Sequence, residues 1–210
     1  MPPSGRPESL TRDDIVAATL RLLRRDGLSR LTMRAVAAEL GVTPMAAYCY
    51  VQGKDDLIQL AHEKISSSIP PLRLEKGDWE TPLRKYLLSL WEELARYPGL
   101  GAHMIEHPSL GITPSVVTEG LRFFEAAGFA PSTAPLAWSF AVTYIFGRIS
   151  VDARLGHKRQ APRFGGLKAH DYLEFGVEAV IRGLRDLRGF DVDVKGNGGG
   201  ATSFRTTRRR

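Results

Sequence analysis

The sequence predicts an all-α chain: a small N-terminal helix-turn-helix head followed by a larger helical domain. Three observations carry this reading. Apolar residues recur at helical spacing in one segment after another. The segments are punctuated by caps and breakers, as at Gly27, Thr43-Pro44, Pro70-Pro71, Pro98-Gly99 and Thr113-Pro114. No stretch alternates apolar and polar residues over the length of a strand, and no internal repeat is present.

Composition bounds the rest. A chain of 210 residues can bury a sizeable core and form one or two domains. Hydrophobic content of 43% and charged content of 25% are ordinary for a soluble globular protein. The single cysteine excludes an internal disulfide and fits a reducing compartment. MPPSGRPES has no apolar core of a signal peptide, and no stretch is apolar for long enough to span a membrane. The expected location is the cytoplasm. Net charge is +6, but residues 1–68 carry +1, residues 69–194 carry 0 and residues 195–210 carry +5. The basic balance is a tail effect and by itself says little about nucleic acid.

Residues 1–10 read as a disordered arm. Arg6 and Arg12 are basic-arm candidates for phosphate or minor groove, set against the plainer reading of a solvated terminus. Thr11 opens the first helix, with Asp14 completing a capping box and Ile15, Ala18, Thr19, Leu22 and Leu23 facing inward. Thr32 then caps a helix whose stripe is Met33, Val36, Ala37 and Leu40. Gly41 sits where a left-handed C-cap belongs. Thr43-Pro44 restarts a helix that Gly53 stops. Residues 32–51 are thus a helix-turn-helix by pattern, a motif whose second helix enters the DNA major groove. A fourth helix, 54–68, carries Leu57, Ile58, Ala61 and Ile65 inward and ends at Pro70-Pro71.

The head so bounded is residues 11–68. Residues 69–79 read as a connector, and 69–194 form the C-terminal domain. Its helices are expected at 80–97, 100–106, 113–127, 132–155 and 170–188, with turns at 108–111 and 128–131 and a polar, basic loop at 156–166. Helix 132–155 is apolar on nearly every face between Leu136 and Ile149, the mark of a helix buried all round. In a domain this small that implies a second subunit, through a four-helix bundle with 170–188. Residues 195–210, GNGGGATSFRTTRRR after Lys195, read as a flexible basic tail.

Thr43–Leu57, TPMAAYCYVQGKDDL, resembles the recognition helix and lysine turn of the TetR family of bacterial transcriptional repressors. Gly27–Val42, GLSRLTMRAVAAELGV, is similar to the first half of that motif. The resemblance is long and ungapped and covers about the first third of the chain. Two positions depart from it: Ala47 stands where the family usually has leucine, and Cys49 where it often has a large polar or aromatic residue.

The residues suggest a division of labour on DNA. Thr43, Pro44, Met45 and Ala46 form the first turn of the recognition helix, where small and apolar groups meet thymine methyls. Tyr48 and Tyr50 can donate to phosphate, and Lys54 suits phosphate as a point charge. Thr32 and the amides behind it form a helix N-terminus fit for phosphate. Arg34 can fork onto a guanine edge. The resemblance implies base reading by Arg34, Pro44, Met45, Ala46 and Tyr50, and phosphate anchoring by Thr32, Tyr48 and Lys54. Each has a plainer reading beside it: Tyr48 as core, Arg34 as solvated surface, Lys54 as a turn residue. Cys49 reads as an inert small side chain rather than a redox switch.

In the C-terminal domain Trp91, Leu94, His103, Met104, His107, Phe124, Trp138 and Tyr144 are candidates to line a ligand pocket, although such residues also build cores. A small apolar or aromatic effector is what the resemblance implies. The partners expected are double-stranded DNA with a palindromic operator, a second copy of the chain and that effector, with no membrane. Ligand binding would then shift the spacing of paired heads and release DNA, with 54–68 as the lever. Two rivals stand beside this reading. One is a DNA-binding protein without a ligand. The other is a metal sensor or enzyme built on His103-Met-Ile-Glu-His107, which matches the H-x-x-E-H string of metalloproteases. That string lies on a short segment with no third ligand marked. No phosphate loop or nucleophile elbow is present, so no cofactor, metal or catalytic residue is assigned.

Overall fold

Helix α1 (Arg12–Asp26) begins on Thr11, whose backbone N–H donates to Asp14 Oδ2 at 2.8 Å while Asp14 N donates to Thr11 Oγ1 at 3.2 Å. The capping box is therefore formed. Ile15, Ala18, Thr19, Leu22 and Leu23 are its buried side chains, the face that periodicity predicts. A 3-10 turn (Leu28–Arg30) leads to α2 (Met33–Leu40), α3 (Pro44–Tyr48) and α4 (Lys54–Ser68). The remaining helices are α5 (Glu80–Ala95), α6 (Leu100–Glu106), α7 (Pro114–Ala126), α8 (Ala134–Gly156) and α9 (Ala169–Leu187), followed by strands β1 (Phe190–Val194) and β2 (Phe204–Arg208). The computed structural model describes residues 10–75, 77–107, 114–156, 166–194 and 204–208. The arm with Arg6, the turn at 108–111, the loop at 157–165 and tail residues 195–203 lie outside the described residues.

The chain divides into two compact units, residues 1–68 with 94–111 and residues 69–93 with 112–210. In the first, α1, α2, α3 and α4 enclose Ile15, Leu23, Leu31, Val36, Ala47, Leu57 and Ile58, all fully or nearly fully buried. Helix α6 belongs to this unit, whereas the sequence reading put it in the C-terminal domain. The cause lies at the turn before it. Leu28 N donates to Pro98 O at 2.9 Å. A Cβ on Gly27, whose φ is 75°, would stand 3.1 Å from that carbonyl oxygen. The Arg24 guanidinium lies 5.6 Å from the Tyr97 ring centroid. A helix break at Pro98-Gly99 is visible in sequence; the element it packs against is not.

In the second unit α5, α7, α8 and α9 surround an aromatic centre. Trp79 and Phe124 each meet Phe129 edge-on, at 5.4 and 5.0 Å. Leu83, Leu87, Ile145, Leu173, Val177 and Ile181 complete the core. On its surface Arg185 forks onto Glu80 at 2.6 and 2.7 Å, and Arg84 pairs with Glu178.

One feature differs from expectation. Strands β1 and β2 pair antiparallel from Phe190↔Arg208 to Val194↔Phe204. No strand was expected, and 204–208 was read as flexible tail. The missed signal is FDVDV at 190–194, a strict alternation only five residues long. The pair is appended to an otherwise helical array, and the fold class remains all-α. Helix α8 leaves part of its apolar surface open within one chain, the surplus for which the sequence implies a second subunit: Phe140 is 54% exposed, and Leu136 and Val151 are exposed with it. No helix among the described residues is long and apolar enough to cross a membrane.

Candidate nucleic-acid interface

The turn between α2 and α3 is built as its residues dictate. Thr32 Oγ1 accepts from Ala35 N at 3.1 Å. Gly41 takes the left-handed conformation, with φ 68° and ψ 27°, and Val42 N reaches back to Ala37 O at 3.0 Å. This is a Schellman closure, which an L side chain at position 41 would strain. Thr43 Oγ1 then accepts from Ala46 N at 3.3 Å, with Pro44 at the first helical position. Helix α2 is also tied to α1 through Glu39, whose carboxylate accepts from Arg21 at 2.9 Å and Arg25 at 3.1 Å. Those two guanidinium groups hold Glu39 below the usual carboxylate range.

Helix α3 is shorter than the sequence reading made it. It ends at Tyr48, and Cys49 N and Tyr50 N close on Ala46 O and Ala47 O at 3.3 and 3.1 Å. These i→i−3 bonds tighten the last turn, and the chain leaves it at Val51. Tyr50 therefore follows the helix rather than lying on it. Ala47 is the fully buried member of α3, so the position where the resembling family has leucine is the core contact. Tyr48 is not core. It is 49% exposed, Met45 is 74% exposed and Tyr50 is 38% exposed.

Three large side chains standing in solvent on and beside a five-residue helix form a surface that needs a partner to bury it. Thr43 and Pro44 are exposed beside them, and Ala46 is half-buried. Thr32, Arg34 and Lys54 are exposed as well. Lys54 Nζ reaches Leu28 O at 3.5 Å, a long contact that leaves the ammonium in water. Exposed apolar and phenolic groups flanked by cations and two helix N-termini can meet base edges and phosphates together. Cys49 is exposed at the end of α3, and its thiol donates to Met45 O at 3.4 Å.

The eight candidate pocket residues are shared between the units. Trp91, Phe124, Trp138 and Tyr144 lie in the second. There Phe124 and Trp138 are buried, Trp91 Nε1 donates to Asp152 Oδ2 at 3.1 Å, and Tyr144 Oη donates to Tyr172 O at 3.0 Å. Leu94, His103, Met104 and His107 lie in the first unit. Leu94 and Met104 are buried, while His107 is exposed and stacks on His103 with centroids 4.3 Å apart. An open cleft of about 610 Å³ in the second unit is lined by none of the eight; Leu72, Arg73, Thr118, Arg122 and Phe123 face it. Glu106 is the residue the sequence reading passed over. It joins His103 and His107 with ligand atoms within 4.8 Å of one another. Its signal was present in the string itself, since i, i+3 and i+4 share a helix face.

Residues 15–61 match the family model for bacterial regulatory proteins of the tetR family. An HTH-type transcriptional regulator of Saccharopolyspora erythraea is 28% identical over 163 residues, 77% of this chain and 69% of that protein. The class D tetracycline repressor protein of Escherichia coli is 27% identical over 200 residues, covering 88% of this chain and 91% of the repressor. Among solved structures, a TetR variant from Acinetobacter baumannii AYE in complex with minocycline superposes with a TM-score of 0.71. It is 26% identical and covers 85% of this chain and 98% of that one. A helix-turn-helix with an exposed face at residues 32–51, in a chain similar along most of its length to these regulators, has one reading: the chain belongs to the TetR family of transcriptional regulators.

Proposed function

We propose that the chain is a ligand-responsive repressor that binds a palindromic operator as a homodimer and is released by a small apolar or aromatic effector. The observation that carries it is the exposed face of Met45, Tyr48 and Tyr50 beside the capped N-termini of α2 and α3. Arg34, Pro44, Met45, Ala46 and Tyr50 read bases. Thr43 lies with them in the first turn of α3, and Thr32, Tyr48 and Lys54 hold the backbone.

One head makes few contacts, and a two-fold dimer doubles them over a palindrome. The dimer surface is assigned to α8 and α9. Leu136, Phe140, Tyr144, Gly147 and Val151 follow one another at i+4 and i+3 along α8, and Leu136, Phe140 and Val151 are exposed. On α9 Phe175 is 78% exposed. Open space beside Gly147 and Gly183 leaves room for another helix to approach closely. Effector release is supported by the minocycline complex of the A. baumannii relative and by the name of the E. coli relative. Trp91, Phe124, Trp138 and Tyr144 are the aromatic side chains of the second unit offered to such a ligand. Occupancy would favour a head spacing that no longer fits successive major grooves, with α4 as the lever.

The test is selection of bound fragments from random duplex DNA at roughly physiological salt. An inverted repeat is the expected product. Recovery of no motif, with binding that vanishes as salt rises, would leave only non-specific attraction and overturn the reading.

A further inference from the structure

We propose that His103, Glu106 and His107, in the last turn of α6, form a binding site for a divalent first-row transition ion, with Zn²⁺ the ion their donors suit. It stands independently of the operator and effector reading.

Geometry comes first. The three residues lie at i, i+3 and i+4, and their ligand atoms are all within 4.8 Å of one another. Two donors bonded at about 2.1 Å to one ion can stand at most about 4.2 Å apart. Small side-chain rotations therefore close the set. The imidazole rings of His103 and His107 are already near parallel, at 26°, with centroids 4.3 Å apart.

The second observation is an unmet bonding need. His103 Nε2 is shielded from solvent and has no hydrogen-bond partner among the described residues. A buried polar atom in that state costs free energy that a ligand can recover. His62 of α4, only 2% exposed, has a second Nε2 without a hydrogen-bond partner among the described residues.

Chemistry then selects the occupant. Two imidazoles and one carboxylate suit zinc and its first-row neighbours, whereas calcium and magnesium favour all-oxygen shells. Glu106 supplies the negative charge, and the exposure of Glu106 and His107 provides an entry path from water. The exposed pair His170–Glu174, 3.2 Å apart on α9, is the contrasting case, with one imidazole and one carboxylate in an ordinary surface ion pair. Because all three donors come from α6 and its C-cap, a bound ion would stiffen that last turn.

The experiment titrates the tag-free full chain, freed of metal, with Co²⁺ at neutral pH, reads the visible absorption of the bound ion and then displaces it with Zn²⁺. The expected result is one saturable Co²⁺ per chain, lost in His107→Ala. Glu106→Gln should weaken it by at least about tenfold, since even outer-shell partners are worth that much. His170→Ala should titrate like the parent. Both site variants change exposed side chains, so an unchanged melting curve will certify their fold. No saturable binding, equal binding in all three variants, or loss only in His170→Ala would overturn the assignment.

Discussion

The six-membered ring of Trp138 lies against the backbone of Gly120, so that a Cβ at position 120 would stand 2.4 Å from its atoms. Helices α7 and α8 meet there without a side chain between them. Trp138 is buried and has Tyr86 as a ring neighbour at 5.9 Å, so it has little freedom to retreat. Gly120→Ala should therefore destabilise the second unit by about 1–3 kcal/mol, the usual cost of overpacking, despite the helix propensity that alanine adds. Thermal unfolding checks this. A melting temperature equal to or above the parent's would mean that the contact yields freely.

On the proposed reading Arg34 and Lys54 make two different kinds of DNA contact. Arg34→Ala should cost about 1–3 kcal/mol on the preferred site and relax preference at one base pair. Lys54→Ala should weaken all sequences alike and lower the salt slope by about one. Binding isotherms on the selected site and on single-base variants, across a salt series, distinguish them. Equal loss of specificity in both variants would remove Arg34 from base reading.

His62 makes the first unit acid-sensitive. Its desolvated imidazole is pushed down to about 4, from an ordinary 6.5, with His103 adding to the effect. The unfolded chain therefore takes up a proton first. Stability is complete above about pH 6.5 and falls as the pH drops toward about 4, by an amount on the order of 3 kcal/mol. Asp14, Glu39, Glu80 and Glu178, each held below the usual carboxylate range, lose their contribution only further into acid. His62→Leu should flatten the curve between pH 6.5 and about 4 while leaving the acid limb below it. Denaturant midpoints at stepped pH measure this, and an unchanged slope would assign it to other groups.

Local rules were legible from sequence wherever one residue decides one feature. Thr11, Thr32 and Thr43 cap as their positions imply, Gly41 takes its left-handed turn, and α4 begins at Lys54 and ends at Ser68 as read. What escaped depends on distant partners. The allegiance of α6 rests on Leu28 and Pro98, seventy positions apart in the chain. The shortness of α3 follows from the i→i−3 closure at Cys49, which no capping residue announces. Tyr48 has the spacing of a core residue, but Ala47 is the one buried there. Periodicity in so short a helix cannot tell neighbouring faces apart. The β1–β2 pair fell below the length at which alternation stands out.

Phe175 offers the sharpest test of assembly, because an apolar ring 78% exposed on α9 has no reason to be there in a lone chain. Phe140 on α8 raises the same question. If these helices build a four-helix bundle between two copies, Phe175→Glu places a charge in its apolar seam. The loss should exceed about 2 kcal/mol, a rise of more than tenfold in the dimer dissociation constant. Operator affinity should fall with it if each head holds half of the proposed palindrome. Sedimentation equilibrium reads the assembly, and a melting curve confirms that the variant is folded. A folded Phe175→Glu chain that sediments as the parent does would move the interface away from α9 and leave the ring to another partner.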